Sequence, residues 1–184
     1  TYAQVGDEIH AAIIVGCGDD PDSSRATQAA NNVMGRCVLV IKAATGEIIR
    51  RFETGNGLAG GTDMDAPMVG SPAVYPARGL LPASRAYLGD AAGRLWRVDM
   101  RSANPNNWTM SVAWPVDDED ALDGYQLGRE IISRPGLFVR ESGKVGIVFG
   151  TGKARGANAG AGYVVSLTDQ LVLGRNNRLT FEAQ

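Results

Sequence analysis

A chain of 184 residues with 18 basic and 20 acidic side chains can hold one cored domain or part of a larger one. Its net charge of −2, with both signs interspersed, offers no phosphate-binding surface, so nucleic acid is not an expected partner. Glycine is abundant at 24 residues, charged residues make up 21%, and helix-favouring runs are scarce, which suits short strands and turns and not a helix bundle.

No apolar run approaches the ~18 residues of a membrane span. The start at Thr1 without Met and the end at Gln184 read as a piece of a longer polypeptide. Residues 1–10 are an ambiguous lead-in. Ala11 to Gly16 is a continuous apolar run, expected to be a strand buried on both faces. Cys17 to Asn32 is polar and turn-rich, hence a loop. Gly35 to Ile41 and Glu47 to Phe52 are the next strands, joined by a turn at Ala43–Gly46. Residues 54–66 are a glycine-rich connection. Gly70 to Tyr75 is a strand, and Pro72, which cannot donate a ladder hydrogen bond, places it at an edge.

A loop from Pro76 to Ser84 leads into two strands, Arg85 to Gly89 and Arg94 to Met100, closed by Asp90-Ala-Ala-Gly93. Leu95, Arg97 and Asp99 alternate with Trp96, Val98 and Met100, so one face is wholly apolar. Asn104–Asn107 is a turn, Trp108 to Val116 a strand, and Asp117 to Gly124 an acidic loop. The pattern then recurs. Arg134 to Val139 resembles Ser71 to Tyr75, Val145 to Gly150 matches Arg85 to Gly89 with closing glycines 61 apart, and Gly162 to Leu167 matches Gly93 to Val98. Ile13 to Gly16 with Gly35 to Val40 is a third copy.

Three copies of a strand unit with a period of roughly 60 residues argue for repetition. The expected fold is all-β: part of a β-propeller of about three four-stranded blades, near residues 11–53, 68–116 and 131–181, in a single segment spanning 1–184. A β-sandwich of eight to ten strands is the rival. Trp96, Trp108 and Trp114 are expected to pack between blades.

The unit Gly35 to Phe52, with its Thr45-Gly46 turn, resembles quinoprotein-type propeller blades. Three motifs in order, Ala44-Thr-Gly-Glu47, Tyr87-Leu-Gly-Asp-Ala-Ala-Gly-Arg-Leu-Trp-Arg-Val-Asp99 and Val148-Phe-Gly-Thr-Gly-Lys153, are similar to the C-terminal propeller of the PilY family. These are type IV pilus biogenesis factors and pilus-tip adhesins. The likeness covers about residues 11–170. It implies an extracellular, non-enzymatic protein at the bacterial cell surface or pilus tip, acting in pilus assembly, retraction and motility. Its implied partners are minor pilins or other pilus subunits and a host or abiotic surface. The family often carries an acidic calcium loop ahead of the Tyr-x-Gly-Asp strand. Here Pro76 to Ser84 has no carboxylate, so no calcium is expected there. The alternatives are a quinone-cofactor (PQQ-type) dehydrogenase, which needs a vicinal cysteine pair that this chain lacks, and an outer-membrane assembly scaffold.

Cys17 and Cys37 fall near opposite positions across a strand pair. A disulfide between them would close the loop of residues 18–36 and stabilise by about 3 kcal/mol; two unpaired buried cysteines are the alternative. Their spacing is not that of a zinc site. His10 is the sole histidine, and no nucleophile elbow accompanies it, so a structural or solvated role and no catalytic residue is expected. Gly150-Thr-Gly-Lys153 lacks the full phosphate-loop pattern and reads as a strand end. No metal or cofactor site is assigned. The weak calcium candidates are Asp117, Asp118, Glu119, Asp120 and Asp123, with Asp19, Asp20 and Asp22, and Asp63 and Asp65, weaker still.

Overall fold

A computed structural model of the chain describes residues 1–18, 35–61, 63–76, 81–114, 129–152, 162–173 and 179–183. The described residues form three four-stranded antiparallel sheets, each a meander whose strands lie side by side in chain order. The first sheet holds β1 (Tyr2–Val5), β2 (Glu8–Gly16), β3 (Val38–Lys42) and β4 (Ile48–Phe52). The second holds β5 (Ala73–Tyr75), β6 (Arg85–Gly89), β7 (Leu95–Asp99) and β8 (Thr109–Trp114). The third holds β9 (Gly136–Val139), β10 (Val145–Gly150), β11 (Val164–Leu173) and β12 (Leu179–Ala183). The chain is thus all-β, and a single 3₁₀ turn at Pro105–Asn107 is the only helical element among the described residues. No described helix is long and apolar enough to cross a membrane.

Local chemistry explains the hairpins. Gly6 takes φ 61 in a two-residue turn that pairs Val5 with Glu8, so residues 1–10 form β1 and the start of β2 and not an unstructured lead-in. Gly46 at φ 76 and Gly93 at φ 90 close the β3–β4 and β6–β7 turns. In the latter, Asp90 Oδ1 accepts from the Ala92 and Arg94 amides at 2.9 and 2.8 Å. Its Oδ2 accepts from Trp96 Nε1 at 2.8 Å. Burial pushes the Asp90 carboxyl above the ordinary range, and these donors act against that shift. Pro72 lies just before β5, an edge strand of its sheet as expected.

The sheets stack face to face. One core joins Ala12, Ile14, Val38 and Val40 of the first sheet to Ala86, Leu88, Trp96 and Val98 of the second. Another joins Tyr87, Leu95 and Trp114 of the second to Ile147, Phe149, Val165 and Leu167 of the third. Trp96 and Trp108 are fully buried in the first core, and the Trp114 ring lies 5.7 Å from Phe149 in the second. The middle sheet is consequently buried on both faces, and every residue of β6 is buried. The first sheet departs from the expectation for Ala11–Gly16: Ala12 and Ile14 are buried, whereas Ile13 and Val15 are exposed. Alternate side chains point to opposite faces, and among the described residues only one face of this sheet meets a neighbour.

Two segments run between sheets and tie them. The Met68 amide donates to the Gly35 carbonyl just before β3, the Gly70 amide donates to the Gly89 carbonyl of β6, and the Pro67 carbonyl accepts from the Ala91 amide in the β6–β7 turn. The next segment repeats this, with the Ile131 amide donating to Asp90 and the Gly152 amide donating to Glu130. Each crosses a glycine that ends the second strand of its sheet. A Cβ on Gly16 would lie 2.3 Å from the Met68 carbonyl oxygen, and one on Gly89 would lie 2.2 Å from Ile131 Cβ.

Cys17 and Cys37 stand at disulfide distance, with Cα atoms 5.2 Å apart, and the Cys17 amide donates to the Cys37 carbonyl. The link joins the end of β2 to the approach to β3. Cys17→Ser is expected to lower stability by about 2–3 kcal/mol by freeing the loop of the unfolded chain. Urea titration with and without reductant checks it: the variant should be insensitive to reductant and the parent sensitive.

Candidate functional site: a buried cluster around Asp169

The period of two in β6 and β7 aims Arg85, Tyr87 and Arg97 toward the third sheet, with Tyr87 and Arg97 directly opposite one another. There they meet Asp169 of β11, which is 0% exposed. Arg97 Nη1 donates to Asp169 Oδ1 at 3.2 Å and Arg85 Nη1 donates to Oδ2 at 3.3 Å. The Tyr87 hydroxyl donates to the same Oδ2 in a very short hydrogen bond. Arg85, Arg97 and Asp169 are among the few buried charged residues described. Arg85 also sits over the Tyr75 ring, 5.6 Å from its centroid.

Electrostatics fix the protonation states. Burial, and then the Asp169 charge, push the Tyr87 hydroxyl far above its ordinary range, so it stays protonated and donates. Burial pulls the Arg97 guanidinium down, and Asp169, Tyr87 and Asp99 act against that. An arginine nonetheless keeps its proton at any ordinary pH. The group therefore has a locked donor phenol, two fixed cations and their carboxylate. Such a set binds the second and third sheets together.

Asp99, at the edge of the cluster, is gripped by its neighbour. Arg101 Nε and Nη2 donate to it at 2.9 and 2.5 Å, and the Arg101 amide at 3.1 Å. Burial raises its carboxyl, but these bonds and the Arg101 charge outweigh burial and hold it below the ordinary range, while the same contact raises Arg101. A carboxylate depressed in the folded state stabilises above its unfolded value and loses that contribution as pH falls through the folded one. Asp99→Asn is therefore expected to cost about 0.5–1 kcal/mol at pH ~7, with the difference from the parent shrinking at an acid pH below the ordinary carboxylate range. The range is small because Arg101 is half exposed. Urea midpoints at the two pH values measure it.

The other sequence candidates fall elsewhere. His10 lies on β2 opposite Ala3, with Nε2 3.2 Å from Glu8. Asp65 pairs with Arg94. Thr151 sits at a strand end, its Oγ1 accepting from the Tyr163 amide at 3.1 Å, and Lys153 lies outside the described residues. So do Asp117, Asp118, Glu119, Asp120 and Asp123, together with Asp19, Asp20 and Asp22, and residues 77–80 of the stretch after Pro76. Among the described residues no group of three or more His, Cys, Asp or Glu is placed to hold a metal ion.

Sequence reading singled out none of Arg85, Arg97 and Asp169 as a cluster. A partial signal was present: an arginine at each of two paired strands, on the parity that also carries Tyr87 and Leu95. Its partner lies 72 residues from Arg97 and cannot be read from local pattern. Comparison with known families, curated proteins and solved structures returns no match.

Proposed function

We propose that the three stacked meanders are blades of a β-propeller and that the protein is a non-enzymatic, extracellular binding module of the type IV pilus tip, similar to the PilY family. The observation that carries this reading is the middle sheet, sealed on both faces between two sheets of the same construction. A blade needs that arrangement, and a two-layer sandwich does not provide it. The three motifs of the resemblance supply support by where they fall. Ala44–Glu47 lies in the β3–β4 turn, Tyr87–Asp99 is the β6–β7 hairpin locked by Asp90, and Val148–Gly150 ends β10 beside the inter-sheet segment. A platform rigidified by buried ion pairs suits docking onto minor pilins, with surface attachment as the outcome.

The test is affinity capture of minor pilins by the purified protein, paired with pilus counts and twitching motility in a deletion strain. Specific retention of minor pilins and loss of surface pili support the reading. No retention together with normal piliation overturns it.

A further inference from the structure

The connection after β4 carries a covalent weak point that the fold itself requires. Beyond Phe52 the chain makes a tight turn, closed by Gly55 at φ 81. In it the Glu53 amide donates to the Asn56 carbonyl at 3.0 Å, and the Asn56 amide donates to the Glu53 carbonyl at 2.8 Å. The chain then lies along β8, the edge strand of the second sheet. There the Met110 amide donates to the Gly57 carbonyl and the Ala59 amide donates to the Met110 carbonyl, both at 2.8 Å. Leu58, between them, packs against the core shared by the first and second sheets. Residues 57–59 thus staple the exit of one sheet to the edge of the next, covering backbone groups that an edge leaves open.

Glycine is needed at position 57. Its φ is 76, and an added Cβ would lie 2.8 Å from Phe52 Cδ1 and 3.0 Å from Arg50 Nη2. The residue before it is a thermolabile asparagine, and Asn56-Gly57 is the single Asn-Gly pair in the sequence. Asn56 is exposed. Neither its side-chain amide nor the Gly57 amide nitrogen hydrogen-bonds to any described residue. With no side chain on Gly57, nothing shields that nitrogen from the Asn56 side chain.

We propose that Asn56 is a site of spontaneous deamidation to isoaspartate, and that the product releases the staple from β8. The Gly57 nitrogen attacks Asn56 Cγ. A C–N bond forms, the Cγ–Nδ2 bond breaks, and Nδ2 leaves as ammonia with the proton of the Gly57 amide. Water then opens the cyclic imide. Where it cleaves the bond from the Gly57 nitrogen to the former main-chain carbonyl carbon, the chain runs on through Cβ and Cγ. The old carbonyl becomes a free carboxylate. Nothing is oxidised or reduced, and water is the sole co-reactant. The main chain gains an extra carbon directly before Gly57, between two fixed points. The turn is closed locally, whereas residues 57–59 must hold register with a strand of another sheet, so the staple gives way. This does not depend on the pilus reading.

Ageing the folded protein at mildly alkaline pH, followed by peptide mapping and enzymatic isoaspartate methylation, should show isoaspartate accumulating at position 56. Asn56→Gln, whose longer side chain would close a less favoured ring, should show none there. In the aged protein the Met110 amide should exchange roughly tenfold faster than in the fresh protein. The Ile131 amide, at the other crossing, should keep its protection. Asn56→Gln aged alongside should keep both. A folded chain that stays unmodified while the guanidinium-unfolded chain converts overturns the proposal. So does isoaspartate at position 56 with Met110 exchange unchanged, or equal loosening of Met110 in aged Asn56→Gln.

Discussion

Asp169→Asn is expected to destabilise the protein by about 3–5 kcal/mol. The carboxylate is fully buried, and both Arg85 and Arg97 donate to it. Neutralising it leaves two guanidiniums facing each other between the second and third sheets with no described counter-charge but Asp99, which Arg97 approaches only at 4.0 Å. The Nε atoms of both arginines are already buried without hydrogen-bond partners, so neither has a spare contact to absorb the loss. Removing one cation should cost less. Arg97→Met leaves Asp169 paired with Arg85 and Tyr87, takes out an unsatisfied Nε, and fills the volume with apolar atoms. Its expected cost is below ~1.5 kcal/mol. Urea titration of both variants measures the asymmetry. Equal losses, or an Asp169→Asn loss under ~1 kcal/mol, would show that this cluster does not clamp the sheets.

This asymmetry marks where the fold was legible in sequence and where it was not. Features set by near neighbours could be read directly. The Asp90–Gly93 turn, the alternation in β7 and the recurrence of strand-glycine units all follow from residues a few positions apart, and the strands fall close to where those signals put them. The first hairpin was missed because its signal is one glycine, Gly6, in a segment of mixed polarity. The apolar run before Gly16 suggested burial on both faces, since its composition is that of an interior strand; the structure covers one face. Composition reports what a strand is suited to touch, and only the assembly decides whether something touches it. The Asp169 cluster depends on a pairing across sheets, which no local period encodes. Of the functional reading, the motifs locate the turns, while the clamp that makes the sheets one body was invisible until β6, β7 and β11 were placed together.

Gly89→Ala is expected to cost roughly 3 kcal/mol or more, and Gly150→Ala less than ~0.5 kcal/mol, although the two glycines hold equivalent places in their sheets. Neither has the positive φ that would make a side chain strained for backbone reasons. The difference is therefore space alone. At Gly89 the new methyl would sit 2.2 Å from Ile131 Cβ and 2.3 Å from the Ile131 carbonyl oxygen. Ile131 is itself fully buried in the second core, and its amide is bonded to Asp90, so the segment cannot retreat without opening the junction. At Gly150 the nearest atom is the Tyr163 carbonyl oxygen at 3.8 Å, an ordinary contact. Thermal or urea unfolding of the two variants side by side reads the contrast. Equal and small effects would mean that the segment carrying Ile131 yields freely. In that case the inter-sheet crossing is a loose tether, and the sheets are held by their side chains alone.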